Sequence, residues 1–232
     1  MKVSIVIPCR NEEKNIEACI HAIYSNTFCD NNDVEVLIID GKSTDNTIKI
    51  LEQLKITHPR IKIIENIKQV TPVAFNLGVK NANGDYIQII GARQIISDNY
   101  LEKAVSFLEN NPDVWCIGGA VENIYENTTS EIISKAMDSP FGVGGGNFRI
   151  LKKSTYVDTV GTPMYPKWVF DKIGYFDEAL VRNQDDEFNY RVTSNGGKIY
   201  LNTEISIKYQ VRAEYNKLYT QYYQYGYWKV YV

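Results

Sequence analysis

Four strand-length apolar runs, at residues 3–7, 34–39, 61–64 and 86–90, alternate with helical stripes, and that alternation constrains the fold more than any other feature. The runs are rich in β-branched residues, as strands buried on both faces are. Between the first two, Ile16, Cys19, Ile20 and Ile23 recur at the spacing of one helical face. Ile48, Leu51 and Leu54 mark a helix over 47–55. Further helices are predicted over 72–81 and 99–109, with Pro72 in a first turn. This order calls for an α/β fold: a Rossmann-like, mostly parallel central sheet with helices on both faces.

Past residue 121 the pattern changes. Gly and Pro become frequent, and 199–201 and 205–209 read as antiparallel strands of a smaller acceptor-side region. With no repeat or linker, residues 1–232 are expected to form one domain, a nucleotide-binding half over 1–121 and an acceptor-binding half over 122–232. The net charge of -3 offers no basic footprint for nucleic acid. Cys9, Cys19, Cys29 and Cys116 lack CxxC spacing and the only histidines are His21 and His58, so neither a zinc site nor a disulfide framework is expected. A reduced, cytoplasmic setting follows.

No signal peptide opens the chain, and no run approaches the ~20 apolar residues that span a bilayer. The chain stops at Tyr231-Val232 without a helix stop signal, so a longer polypeptide is expected beyond it. Tyr215, Tyr219, Tyr222 and Tyr223 follow a helical spacing. They suit either an aromatic helix packed on the core or a face lying in a membrane interface.

In open α/β sheets ligands bind beyond the carboxyl ends of the strands. After the first strand stands Pro8-Cys9-Arg10-Asn11-Glu12-Glu13, and after the second Asp40-Gly41-Lys42-Ser43-Thr44-Asp45-Asn46-Thr47. A carboxylate such as Asp40 can accept the imide N–H of uracil or thymine. Ser43 or Thr44 can cap the next helix and leave its N-terminus facing the site. The same acids could equally build a tight turn. No Gly-x-Gly-x-x-Gly follows the first strand, which excludes a Rossmann dehydrogenase. Cys9 has no histidine partner in sequence and is not expected to act as a nucleophile.

Together these two segments resemble the opening of family 2 glycosyltransferases of the GT-A fold. Asn76-Leu77-Gly78 and Gly84-Asp85-Tyr86 are similar to that family's run into its fourth strand. The stretch 139–149, Phe176-Asp177-Glu178, the stretch 180–191 and the stretch 221–229 are like its members that build bacterial exopolysaccharide, notably the succinoglycan type. The resemblance implies that Asp40 contacts the base and that Pro8 and Glu12, with Arg10 in the same turn, bind the donor.

The family's Asp-x-Asp, which holds Mg or Mn against the donor diphosphate, is matched here by Gly91-Ala92-Arg93. Three readings follow: Arg93 neutralises the diphosphate itself, other acids such as Asp98, Asp185 or Glu187 hold a divalent cation, or the chain is a non-catalytic binding module. Arg93 could also be a surface arginine in a salt bridge. The acids Asp185, Asp186 and Glu187 could simply start a helix, where the dipole favours them. The family pattern instead implies that Asp185 is the catalytic base, with Gln184 replacing the glutamate that precedes it. Gln184, Asp186, Glu187 and Gly145 of the glycine-rich loop are then expected on the acceptor side. Trp168, Tyr165 and Tyr175 could stack on sugars or serve the core. The implied activity is inverting transfer of a sugar from a UDP- or dTDP-sugar to an acceptor hydroxyl, in exopolysaccharide or lipid-linked oligosaccharide synthesis. The implied place is the inner face of the plasma membrane.

Overall fold

The computed structural model describes residues 2–31, 33–139, 148–211 and 214–231. Strands β1 (Lys2–Cys9), β2 (Asp33–Asp40), β3 (Ile61–Glu65) and β4 (Tyr86–Ile89) stand at the positions the apolar runs predict. Between them run α1 (Ile16–Tyr24), the short α2 (Phe28–Asn31), α3 (Thr47–Thr57) and α4 (Thr71–Asn81). There follow β5 (Gln94–Ile96), α5 (Tyr100–Asn110), β6 (Val114–Ile124) and α6 (Thr128–Met137). Beyond them lie β7 (Thr155–Tyr156), β8 (Gly161–Pro166), α7 (Trp168–Ile173), α8 (Gln184–Ser194), β9 (Lys198–Gln210) and α9 (Tyr215–Lys229).

One sheet runs β3-β2-β1-β4-β8-β6-β9-β5, with β7 on β9. The first four strands are parallel, and β8 is antiparallel to both β4 and β6. Alternate residues of the central strands leave for opposite faces, as a period of two requires. Val3, Ile5 and Ile7 of β1 pack with α1, α3 and α5 through Ile20, Leu51 and Leu101. Val6 of β1 and Leu37 and Ile39 of β2 pack with α4, α7 and α8 through Ala74, Phe170 and Phe188. Helices thus cover both faces. Helix α4 lies so close on β1 that a Cβ at Gly78 would sit 2.2 Å from Val6 Cγ1, which only glycine avoids. Phe188 is fully buried against Phe170 and Phe176. Truncating such a ring costs roughly 3–5 kcal/mol, so α8 is anchored firmly.

The two antiparallel strands expected at 199–201 and 205–209 are one strand. β9 runs parallel to β6 and antiparallel to β5 and β7. The register jumps from Gly119↔Asn202 to Ala120↔Ser206, so three residues bulge out and the strand resumes on the same neighbour. A bulge of this kind interrupts the apolar pattern without ending the strand.

Candidate active site

The strand order reverses between β1 and β4, the position at which open α/β sheets form a crevice. Non-glycine residues in the left-handed region gather at this edge: Asn11 after β1, Lys42 after β2, Gln69 after β3, Thr162 in β8 and Asn183 before α8. Such backbone is uncommon outside glycine and concentrates at functional sites.

On the β1–β2 side the polar groups satisfy one another. Asp40, buried and paired with Cys9 across the sheet, accepts from Ser43 N at 3.0 Å and Ser43 Oγ at 2.5 Å. Asn11 N donates to Ser43 Oγ at 2.9 Å, and Asn11 Oδ1 accepts from Thr44 N at 2.8 Å, locking the two turns together. The helix start is served by Asp45 rather than by Ser43 or Thr44: its Oδ1 accepts from Thr47 N at 3.0 Å. Desolvation opposes the Asp45 charge, but the hydrogen bonds from Thr47 and Glu13 hold its pKa below the usual carboxylate value. Ser43 and Thr44 are occupied by Asp40 and Asn11, which is why neither caps α3. The Arg10 side chain is exposed and lies along Gly41, next to Asp40. Burial, then the charges of Asp40 and Glu12, push the Cys9 thiol far above its ordinary value, which disfavours the thiolate.

Two residues expected to bind the donor instead bind each other. Arg93 Nε donates to both oxygens of Glu12, at 2.8 and 2.9 Å. The arginine sits in a turn closed by Gln94, whose N–H reaches Gly91 O at 2.9 Å and whose Oε1 accepts from Gly91 N at 2.5 Å. That turn presents no carboxylate. Among the described residues no three metal-ligating side chains come together. Asp98 is exposed beyond β5, while Glu187 is held by Arg191 at 2.6 Å. The residues present therefore do not fit a cation site of the family's usual kind.

The acid side is built differently. Left-handed Asn183 turns the chain into α8, and its Nδ2 donates to Tyr225 O at 3.0 Å. Asp186 pairs with Lys229 at 2.8 Å, and Arg182 donates to Gln224 at 2.9 Å. Helix α9 is thereby strapped over the turn that carries the acids. Glu187 with Arg191 is a structural pair, since Arg191 also donates to the carbonyls of Ile173 and Tyr175. Gln184 is buried and its Oε1 has no partner.

Asp185 is open to solvent, yet crowded by protein on every other side. That desolvation, followed by the charge of Asp186, raises its pKa against the opposing pull of its own helix N–H groups and Lys229. A cleft of about 740 Å³ lies before it. Pro8 and Gly91 form one wall, Asp185 and Asp186 the other, and Tyr222 and Tyr225 of α9 lean in from the side. Of the residues chosen from sequence, Pro8, Asp185 and Asp186 share this cleft. Asp40 stands one strand beyond, where Pro8 and Cys9 pair with Ile39 and Asp40. Arg10, Glu12, Arg93, Gln184 and Glu187 are not among the residues that line the cleft. Gly145 lies outside the described residues. Tyr165 lines the cleft, whereas Trp168 packs on Trp115 and Tyr175 on Phe170.

Sequence reasoning missed Asn189. One turn on from Asp185, it accepts from Tyr165 Oη at 2.9 Å and donates to Thr159 Oγ1 at 3.0 Å, fixing α8 to β8. A lone amide on the buried face of a helix is the signal that could have found it.

The family model "Glycosyl transferase family 2" matches residues 4–174. The chain is 34% identical over 231 residues to a dolichyl N-acetyl-alpha-D-glucosaminyl phosphate 3-beta-D-2,3-diacetamido-2,3-dideoxy-beta-D-glucuronosyltransferase of Methanococcus voltae, covering 97% of this chain and 71% of that protein. It is 30% identical to the succinoglycan biosynthesis protein ExoA of Rhizobium meliloti, over 96% of this chain and 67% of the relative. The fold matches Staphylococcus aureus TarS in complex with UDP-GlcNAc at a TM-score of 0.72 and 19% identity, covering 92% of this chain and 60% of that one. It also matches a Pyrobaculum calidifontis mannosyltransferase in complex with GDP-Man and Mn2+, at a TM-score of 0.66, 18% identity and coverage of 91% and 56%. This chain thus spans about 60% of the solved TarS chain.

Proposed function

The chain belongs to glycosyl transferase family 2, and from that premise we propose that it moves a sugar from a UDP- or dTDP-sugar to a hydroxyl of a polysaccharide or lipid-linked saccharide, with inversion. The observation that carries this reading is the shared cleft: Asp185 faces the crevice whose other wall is the end of β1. Sugar transfer needs a base near the acceptor oxygen, because an alcohol is a poor nucleophile at neutral pH. A carboxylate with a raised pKa suits the task, and a positioned base contributes about 10²–10⁴-fold.

In this reading Asp185 takes the acceptor proton as the oxygen bonds to the anomeric carbon. The bond to the nucleoside diphosphate breaks on the opposite face, so configuration inverts in one displacement. The base of the nucleotide lies by Asp40, Pro8 and Glu12, with Arg10 beside them. Its diphosphate draws Arg93 away from Glu12, since a guanidinium binds phosphate bidentately. Gln184 and Asp186 border the acceptor.

We place the reaction at the inner face of the plasma membrane. The names of the two relatives, a dolichyl-phosphate glycosyltransferase and a succinoglycan biosynthesis protein, support a lipid-linked or polymeric acceptor. The exposed Tyr215, Tyr219, Tyr223 and Tyr227 of α9 support an interfacial position. Among the described residues no helix is long and apolar enough to cross a membrane.

A second reading, a module that binds nucleotide-sugar or glycan without turnover, is favoured by the absent carboxylates and by the Glu12–Arg93 pair. Release of nucleoside diphosphate from a panel of UDP- and dTDP-sugars separates the two. The transferase reading expects slow release without acceptor and faster release with it. Binding with no release on any donor would reject that reading.

A further inference from the structure

Opposite the acid turn, β8 carries an unusual bulge. Gly119 pairs with Gly161 and Ile117 with Met164, so Thr162 and Pro163 together face Gly118 alone. Thr162 stands at φ +54°, a setting that a β-branched residue resists because its Cβ crowds the backbone. Its hydroxyl is buried and unpartnered. Nothing in the side chain of Thr162 accounts for this conformation.

Its carbonyl does. Thr162 O accepts from Tyr100 Oη at 2.7 Å and from Gln88 Nε2 at 2.9 Å. Gln88 Nε2 also reaches Pro163 O at 3.2 Å. Tyr100 is fully buried, and its oxygen accepts from Gly119 N at 3.0 Å, so one phenol bridges the two strands across the bulge. A Cβ on Gly119 would lie 2.8 Å from Tyr100 Cε2, so glycine there is what admits the ring. These donors hold a backbone setting that the local sequence disfavours.

The bulge is flanked by the two side chains that anchor α8. Thr159 lies before it and Tyr165 after it, and both bind Asn189, one turn from Asp185. Where the bulge places Thr159 relative to Tyr165, Asn189 must follow, and α8 with it.

We propose that Tyr100 and Gln88 are positioning residues: they clamp the left-handed bulge at Thr162 and, through Asn189, set where Asp185 stands in the cleft. The proposal rests on Asp185 being the base of the reaction proposed above. Thr162 and Pro163 line the cleft, whereas Tyr100 and Gln88, which hold the Thr162 carbonyl, do not.

The test is a kinetic cycle on the intact chain, run well below the melting temperature of each variant. Tyr100→Phe removes the bridging hydroxyl. It should lower kcat about tenfold or more, towards the 10²-fold that a 1 Å misplacement costs, with little change in donor KM. Thr162→Gly removes the strain and should raise Tm. With the strain gone the hydroxyl has nothing left to hold, so the double variant should show the kcat of Thr162→Gly alone. A merely structural Tyr100 would lower Tm without that rescue. If Tyr100→Phe fails to fold, Gln88→Leu takes its place in the same cycle, with the same loss and rescue expected. Losses that simply multiply, or wild-type kcat in Tyr100→Phe or Gln88→Leu, would overturn the positioning role while leaving the transferase reading intact. A wild-type protein with no turnover would overturn both.

Discussion

The turn after β2 and the turn before α8 stand at the same edge of the sheet and treat their carboxylates in opposite ways. Asp40 and Asp45 have their oxygens filled by Ser43, Thr47 and Glu13, and the net pull on Asp45 lowers its pKa. Asp185 is crowded, beside a second acid and an unpartnered Gln184 oxygen, and its pKa goes up. The first arrangement fixes a shape, because an acceptor saturated with short hydrogen bonds is a poor base. The second keeps a proton site available at the rim of a cleft. Rigidity on one wall and an unsatisfied acid on the other are what a displacement between two bound partners requires.

Substitutions can break this contrast, beginning with the largest effect. Asp185→Asn should lower transfer by about 10²–10⁴-fold while nucleoside diphosphate binding, followed by calorimetry, stays unchanged. Asp186→Asn should do far less, because Lys229 already occupies that carboxylate. Were the two variants to exchange behaviour, the base would be Asp186. Arg93→Ala should cost about 10–100-fold in kcat/KM, the worth of one charged hydrogen bond. Turnover in the wild-type protein should persist in excess EDTA, since the turn at Gly91-Ala92-Arg93 has no carboxylate for a cation. Abolition by EDTA with recovery in manganese would reject that part of the account.

Asp40→Ala should raise donor KM by about tenfold and lower stability by about 1–3 kcal/mol as Ser43 loses its partner, checked by donor titration and thermal melting. An unchanged KM would leave Asp40 as a turn residue. The smallest effect lies far from the cleft. Glu35 accepts from Ser4, Asn83 and Lys62. Burial works against its charge, but these bonds prevail and hold its pKa at about 2. Its folded pKa is therefore below the unfolded value of about 4.3, so its contribution is full above that pH and fades as pH falls towards 2. The wild-type melting temperature should drop more steeply over that interval than that of Glu35→Gln. Equal slopes would mean the carboxylate is not held as described.

The parallel strands were legible in sequence because burial on both faces writes a largely apolar run rich in Val and Ile, as in β1 and β2. The helices were legible because a single stripe such as Ile16, Cys19, Ile20 and Ile23 suffices. Site contacts were not, since they join residues far apart along the chain. Glu12 and Arg93 could each be singled out as donor ligands, yet nothing local reveals that they meet across 81 residues. The same holds for Tyr100 and Thr162, 62 residues apart. Ser43 and Thr44 looked like caps because their type allows it, and only the geometry shows them committed to Asp40 and Asn11. The kinked β9 read as two strands because a bulge and a strand end leave similar gaps in the pattern.

The central claim, that donor and base share one cleft, is tested most directly by a crystal structure with UDP or dTDP bound, soaked with and without manganese. The account predicts a base against Asp40 and Pro8, a diphosphate that has drawn Arg93 from Glu12, and a leaving oxygen directed into the cleft before Asp185. A nucleotide seated elsewhere, with the Glu12–Arg93 pair intact and Asp185 out of its reach, would contradict it.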